Sequence, residues 1–260
     1  MKNVLVTGGS SGIGLAIADL LTKEGGYQVI SLSRSQAKID RALKERPGLE
    51  GEVDFITGDV SQPAHCQRLF KMLNEKYGKL HGLVNNAGML TAGGIQDIGF
   101  DLWKENLDIN LNAPYLLTQT LLPLLKKSSG ASIVNISSIA SRVPGRSIAY
   151  SVSKAGVDML TEFLAGELGP YKIRVNAVNP GLVETNLHLD SKVVPSEEMY
   201  RKMLERSEPK YPIGRIGKPE DIAQMVHFLL SDKSTWITGS IIKVDGGTTV
   251  FNEILPKKNS

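Results

Sequence analysis

Residues 3–7, Asn-Val-Leu-Val-Thr, are a short apolar run rich in β-branched side chains, and Gly8-Gly9-Ser10-Ser11-Gly12-Ile13-Gly14 follows at once. The run has the character of a strand covered on both faces in a parallel sheet. From Leu15 to Lys23 apolar residues recur at helical spacing. A strand, a glycine-rich turn and a helix in direct succession leave few folds open. The glycines let the backbone turn tightly and approach a pyrophosphate, while the helix N-terminus offers N–H groups and positive potential. Gly8, Ser10, Ser11, Gly12, Ile13 and Gly14 are therefore candidate residues for holding a dinucleotide.

The same alternation continues along the chain. Further strand patterns lie at 28–33, 53–57, 80–84, 132–136, 173–178 and 239–244, and helical patterns at 35–46, 63–77, 100–125, 149–168 and 219–230. Alternation of this kind predicts a parallel sheet with crossover helices. We expect an α/β chain forming a single doubly wound, Rossmann-like domain over residues 1–250, with a parallel seven-stranded sheet and helices on both faces. The polar stretch 185–212 reads as a lid over the strand ends, and 251–260 as a C-terminal tail. Pro114 and Pro123 should bend the stretch 100–125, which carries Asn110 at its middle. That asparagine either bends the helix and holds a water or is simply tolerated there. With 260 residues, 41% hydrophobic and 22% charged, the chain can build a large core without staples.

Several function classes are disfavoured. A net charge of +3, scattered along the chain, does not argue for nucleic acid. Apolar runs are too short for a membrane span. The single cysteine, Cys66, excludes an internal disulfide and suits a reducing compartment, so a cytoplasmic location is expected. Met1 is followed at once by a strand pattern, with no signal segment. No metal site is expected, and His65, His81, His188 and His227 read as structural or surface residues.

Chemistry should gather at the strands' carboxyl ends. After the second strand stand Ser33 and Arg34, where an acid would bind the 2′-hydroxyl of NAD. An arginine there suits a 2′-phosphate, so NADP(H) is expected over NAD(H). Asp59 follows the third strand, where it can accept a bond from an adenine amino group or cap the next helix with Ser61. Asn85-Asn86-Ala87-Gly88 follows the fourth strand, its small residues fitting close packing against a ligand. Ser137 and Ser138 end the fifth. Tyr150 and Lys154, four apart, share one helix face. An ammonium beside the phenol would favour the phenolate and lower the tyrosine's pKa, making it a proton donor or acceptor for a carbonyl or alcohol. Isolated, Tyr-x-x-x-Lys is common by chance; the rest of the chain gives it weight.

Together these residues resemble the short-chain dehydrogenase/reductase family over about residues 2–248. The carriers are Thr7-Gly8-Gly9-Ser10-Ser11-Gly12-Ile13-Gly14, Asn85-Asn86-Ala87-Gly88, Tyr150-Ser151-Val152-Ser153-Lys154, Asn179-Pro180-Gly181 and Val244-Asp245-Gly246-Gly247. The resemblance implies a catalytic tetrad of Asn110, Ser138, Tyr150 and Lys154. Ser138 would stabilise charge on the substrate oxygen. Tyr150 would be the acid in reduction and the base in oxidation. Lys154 would lower the tyrosine's pKa and bind the nicotinamide ribose, and Asn110 would hold a relay water. Ser138 stands twelve residues before Tyr150, where many relatives have thirteen, the spacing of Ser137. Ser138 is chosen by its place on the strand. By the same likeness Asp59 and Val60 would meet adenine, and Asn86, Ala87 and Gly88 the adenosine and its ribose. Pro180, Gly181, Val183 and Thr185 would hold the carboxamide end.

The activity so implied is an NADP(H)-dependent oxidoreductase moving hydride between the nicotinamide and a carbonyl or secondary-alcohol substrate. A narrower alternative is a 3-oxoacyl-thioester reductase taking acyl carrier protein, with Lys126, Lys127, Arg142 and Arg146 as docking charges. A third is a non-catalytic NADP-binding sensor or scaffold. The family also implies a homo-oligomer, a tetramer or dimer, built on the long helices within 100–125 and 149–168.

Overall fold

The structure, a computed structural model, describes residues 1–145 and 147–250. The expected tail, 251–260, and Arg146 lie outside the described residues. Among these residues, seven strands form one all-parallel sheet: β1 (Lys2–Thr7), β2 (Tyr27–Ser33), β3 (Val53–Thr57), β4 (Gly82–Asn85), β5 (Ser132–Ile136), β6 (Arg174–Pro180) and β7 (Ile241–Val244). Their order across the sheet is β3-β2-β1-β4-β5-β6-β7. The chain builds outward from β1 to β3, then returns to the other side of β1 with β4. The strand order therefore reverses between β1 and β4, and helices diverge there above the strand ends.

Both faces are covered, which explains why the strands read as nearly unbroken apolar runs. Successive side chains point to opposite faces. On β1, Val4 and Val6 join one apolar core, with helices α1 (Gly12–Glu24) and α9 (Pro219–Leu230). Leu5, between them, joins the other, with α3 (Pro63–Tyr77), α5 (Ala113–Lys126) and the end of α6 (Ile148–Leu168). Ile133 and Val134 divide in the same way on β5. Each fully buried Leu or Ile contributes about 1.5–3 kcal/mol, so neither core is dispensable. The short helix α2 (Gln36–Glu45) is mostly exposed and packs through Ile39, Ala42 and the partly buried Leu43.

Two departures from the sequence pattern matter for the site. First, α1 begins at Gly12 rather than Leu15, so the second half of the glycine turn is the helix's first turn. Second, 100–125 is not one helix bent at its prolines. It divides into α4 (Phe100–Leu107), a π-helical turn (Asp108–Asn112) and α5, with Pro114 in the first turn of α5, where a missing N–H is tolerated. Pro114 also has no N–H to give the carbonyl four residues earlier, which is that of Asn110. The wide turn at Asn110 thus coincides with a gap in the helical ladder, as such turns often do at functional sites. The segment after β6 contains α8 (Glu197–Ser207), where the sequence pattern over 197–205 predicts a helix, and a further short helix, α7 (Leu187–Asp190).

Candidate active site

A cavity of about 860 Å³ opens above the carboxyl ends of the strands, across the β1/β4 reversal. Ser33, Arg34 and Lys38 line one end, Gly8 and Gly12 the middle, and Ser138, Tyr150, Lys154 and His188 the other end. Of the residues expected at the site, all but Gly14 and Asn110 line this one cavity.

The middle is built to receive an anion. Ser11 caps α1 without a side-chain bond, and the first turn carries no acidic residue. The helix's first N–H groups and its positive end therefore remain available. Gly8 and Gly12 hold φ of +66° and +50°, which disfavours other residues. A Cβ on Gly12 would come within 3.2 Å of Thr185 on the opposite wall. Gly14 works differently from the expectation. It is off the cavity wall, and a Cβ there would lie 2.3 Å from the Gly8 carbonyl and 2.5 Å from the Asn86 amide. Its role is to let helix and turn close on each other.

Asn86 and Thr7 hold the turn from below. The Asn86 amide donates to the carbonyls of Thr7 (2.9 Å) and Gly8 (3.3 Å). The Thr7 hydroxyl accepts from the backbone N–H of Asn86 (3.0 Å) and Ala87 (2.9 Å). At the β2 end the hydroxyls of Ser10 and Ser33 pair at 2.7 Å. Asp59 lines the cavity, but one carboxylate oxygen already accepts from the backbone N–H and hydroxyl of Ser61. The N-cap of α3 is Gln62, so Asp59 braces the turn rather than capping the helix. These groups fit a phosphorylated dinucleotide: a bare helix N-terminus for the pyrophosphate, and the cations Arg34 and Lys38, the latter paired with Asp190, at the β2 end.

At the catalytic end the two serines take different roles. Ser137 is buried, and its hydroxyl donates to the Lys154 carbonyl on α6 at 3.1 Å. The Ser138 hydroxyl accepts from the Ala140 N–H at 3.1 Å and stands near enough to the Tyr150 phenol to act on its pKa. Asn179 braces this corner, donating to the Ser138 carbonyl at 3.0 Å and to the buried carboxylate of Asp158. The buried Lys154 ammonium donates to the Ile136 carbonyl at 2.7 Å and sits 5.6 Å from the Tyr150 ring centre.

Burial holds the Tyr150 phenol above its ordinary value, and the Ser138 hydroxyl draws it part of the way back. Burial also pushes Lys154 down to about 8, against the pull of Asp158. The lowered tyrosine expected from sequence is thus not produced by the protein groups alone. The reason is that desolvation outweighs an ammonium that is itself desolvated and tied to a carbonyl.

Asn110 is buried, with its side chain fully engaged. Its Oδ1 accepts from the Met89 N–H (2.8 Å), and its Nδ2 donates to the Met89 carbonyl (2.9 Å), Asn106 (3.0 Å) and Ser153 (3.2 Å). The carboxamide ties the loop after β4 to α6.

Among the polar residues that reach the cavity, Lys38 and Asp190 were not singled out as ligands from the sequence. Lys38 on α2 and Asp190 on α7 form an ion pair of 2.6 Å across its adenosine end. No local motif marked them: α2 is a polar helix, and the lid's course depends on packing far from it in sequence. His188, read from sequence both as a structural or surface residue and as part of a substrate-pocket wall with Met89, Leu90, Ile139 and Ala140, lines the cavity. Of the other histidines, His65 and His81 accept backbone N–H bonds, and His227 packs edge-on against Tyr27. Among the described residues, no group of three or more His, Cys, Asp or Glu side chains could hold a metal, and no helix is long and apolar enough to cross a membrane.

A Rossmann-type sheet, a bare glycine-rich helix start and a tyrosine, serine and lysine converging in the same cavity define a class of dinucleotide-dependent oxidoreductases. A family model described as enoyl-(acyl carrier protein) reductase matches residues 8–249. The chain belongs to the short-chain dehydrogenase/reductase family, whose members use NAD(P)(H). It is 36% identical over 251 residues to the 3-oxoacyl-[acyl-carrier-protein] reductase FabG of Thermotoga maritima, covering 96% of this chain and 98% of that protein. It is 39% identical over 248 residues to L-xylulose reductase of Caenorhabditis elegans, covering 95% of each. Among solved structures, the ligand-free aldohexose dehydrogenase of Thermoplasma acidophilum superposes with a TM-score of 0.87 at 34% identity, covering 99% of this chain and 97% of that one.

Proposed function

We propose that this enzyme interconverts a ketone and a secondary alcohol with NADP(H), with Tyr150 as the proton-transfer residue and Ser138 and Lys154 beside it. The observation that carries the reading is one cavity with Tyr150 and Ser138 at one end and Arg34 and Lys38 at the other. When bound, a nicotinamide dinucleotide supplies or accepts the hydride. The protein's part is to place and polarise the substrate. The Ala140 N–H occupies a lone pair of the Ser138 oxygen, leaving the hydroxyl proton for a substrate oxygen. Tyr150 gives its proton to that oxygen in reduction and takes it back in oxidation. Lys154, fixed by Ile136, keeps positive charge at the base of the pocket. Arg34 and Lys38 provide two cations for a 2′-phosphate, and no acid stands at the end of β2.

The test is consumption of NADPH against NADH over a varied carbonyl panel, with Tyr150→Phe as control. Turnover with NADPH that disappears in the variant is expected. Preference for NADH would overturn the Arg34 reading and leave the proton chemistry standing. Binding of NADPH with no turnover in any direction would favour a sensor over an enzyme.

A second reading, a 3-oxoacyl-thioester reductase, draws support from the family description and the Thermotoga relative. Its proposed docking charges do not form one patch. Lys126 and Lys127 precede β5, at the end of the sheet away from Ser138, with Lys126 over the Tyr171 ring and Lys127 on Asn74. Arg142 leans toward Asp158 at the catalytic end. A higher kcat/KM for acyl-carrier substrates than for small ketones would favour it. We also read the exposed Phe100, Tyr115, Met159 and Phe163 on α4, α5 and α6 as faces for self-association into a dimer or tetramer. The lone buried Cys66 suits a cytoplasmic, reducing setting.

A further inference from the structure

His188 is the polar feature of the substrate end that the proton chemistry leaves unused. It lines the cavity beside Leu187, Ser191, Met89 and Ile139. Among the described residues neither ring nitrogen has a hydrogen-bond partner; Nδ1 is closed off, and Nε2 is the nitrogen that a ligand in the cavity can reach. The ring is nevertheless held in place. It stacks on Tyr200, with ring centres 5.9 Å apart and planes at 29°. The Tyr200 hydroxyl is itself locked, accepting from the Thr185 N–H at 3.0 Å and donating to the Thr185 carbonyl at 2.9 Å. The His188 carbonyl accepts from the N–H of Val193 and Val194. Three residues on, the Ser191 hydroxyl accepts from the Leu90 N–H at 3.2 Å, which leaves its own proton free to donate.

Buried polar groups in folded proteins are nearly always paired, and those that are not call for a partner. A fixed imidazole without one, on the wall of a substrate cavity, is suited to a polar group that arrives with the substrate. A plain alkyl ketone or an acyl chain lying over Nε2 would displace water from it and leave it unsatisfied. We propose that His188, aided by Ser191, hydrogen-bonds a hydroxyl group of the substrate, so that the enzyme acts on hydroxylated ketones and the corresponding polyols. This rests on the ketone–alcohol reading above. In the reducing direction hydride from the reduced dinucleotide goes to the carbonyl carbon and the Tyr150 proton to its oxygen. The recognised hydroxyl is unchanged.

The experiment compares isosteric pairs in which a methyl replaces a hydroxyl: hydroxyacetone with 2-butanone, and 1,3-dihydroxyacetone with 3-pentanone. The protein should prefer the hydroxylated member by about tenfold or more in kcat/KM, since a site with polar groups to satisfy rejects the analogue lacking them. His188→Leu should reduce that preference to less than about twofold, while the alkyl ketone is reduced as well as before. His188→Gln, whose amide nitrogen approximates Nε2, should restore part of it. A preference absent from the wild type, or unchanged in His188→Leu, overturns the proposal and leaves the ketone–alcohol reading intact. If no carbonyl is turned over, that reading fails, and saturation-transfer NMR of the same pairs on the NADP⁺-loaded protein decides the His188 question. Selective binding of the hydroxylated member, lost in His188→Leu, supports it; equal binding sinks it. Thermal melts of each variant separate these effects from misfolding.

Discussion

Residue identities carry the chemistry where neighbours one apart in sequence do different work. Ser137 and Ser138 look alike in the sequence, but the first is spent on the α6 backbone and only the second meets Tyr150. Ser138→Ala should lower kcat by about 100-fold or more, the usual cost of a lost donor at a developing oxyanion. Ser137→Ala should instead cost about 1 kcal/mol of stability and leave kcat nearly unchanged. Equal kinetic losses would put the assignment in doubt. Lys154 gives a pH test. Its folded pKa is lowered from 10.5 to about 8 by burial. Between those values the unfolded chain holds the proton more tightly, so stability from this group rises with pH. The cost of burying the charge, on the order of 3 kcal/mol, is fully present below about pH 8 and is relieved above it. Urea melts from pH 7.5 to 9.5 should show this rise in the wild type and not in Lys154→Met. Parallel slopes would show that another group is responsible. That Ser138, Tyr150 and Lys154 share one cavity was legible through the family resemblance, whose tetrad includes all three. The raised phenol was not legible, because desolvation depends on what the fold packs around the ring.

At the scale of elements, the glycine turn was readable in full and its division of labour was not. A run of glycines announces a tight turn. Which glycine faces ligand and which faces backbone depends on the angle at which α1 leaves β1. Gly14→Ala puts a methyl group within 2.3 Å of the Gly8 carbonyl. It should destabilise the fold by about 1–3 kcal/mol and weaken dinucleotide binding by displacing the turn, seen as a lower Tm together with a higher Kd. An unchanged Tm with weaker binding would mean that Gly14 touches the ligand after all. The break at Asn110 was half legible. Proline announced a disturbance, but the sequence pattern did not predict that the helix would widen into a π turn before Pro114 rather than bend at it. The lid was legible as a segment and opaque in detail. Its polar composition marks it as surface, while the placement of His188 arises from the stacking on Tyr200, twelve residues later.

Across the whole molecule, the parallel sheet with helices on both faces follows from simple alternation of buried runs and amphipathic helices, and the site follows from the strand order: where it reverses, the loops part and leave a cleft. What alternation cannot supply is contact between segments that never neighbour each other in sequence. The ion pair between Lys38 and Asp190 is such a contact, joining the helix after β2 to the lid over the cavity's adenosine end. Half exposed on both sides, it contributes at most about 1 kcal/mol, so it is a fastening that a ligand can undo. A 2′-phosphate lodged at Arg34 would compete for the same ammonium. The coenzyme would then release the segment carrying His188, and by reciprocity the closed segment would discourage the coenzyme. The expected kinetic consequence is an order of addition, coenzyme leading and substrate second. Asp190→Asn frees Lys38 without touching the catalytic end. It should tighten NADPH by up to about fivefold and leave NADH where it was, as titration of the protein's fluorescence would record. An equal change for both nucleotides would mean that the pair merely shapes the surface, and that substrate and coenzyme come and go independently.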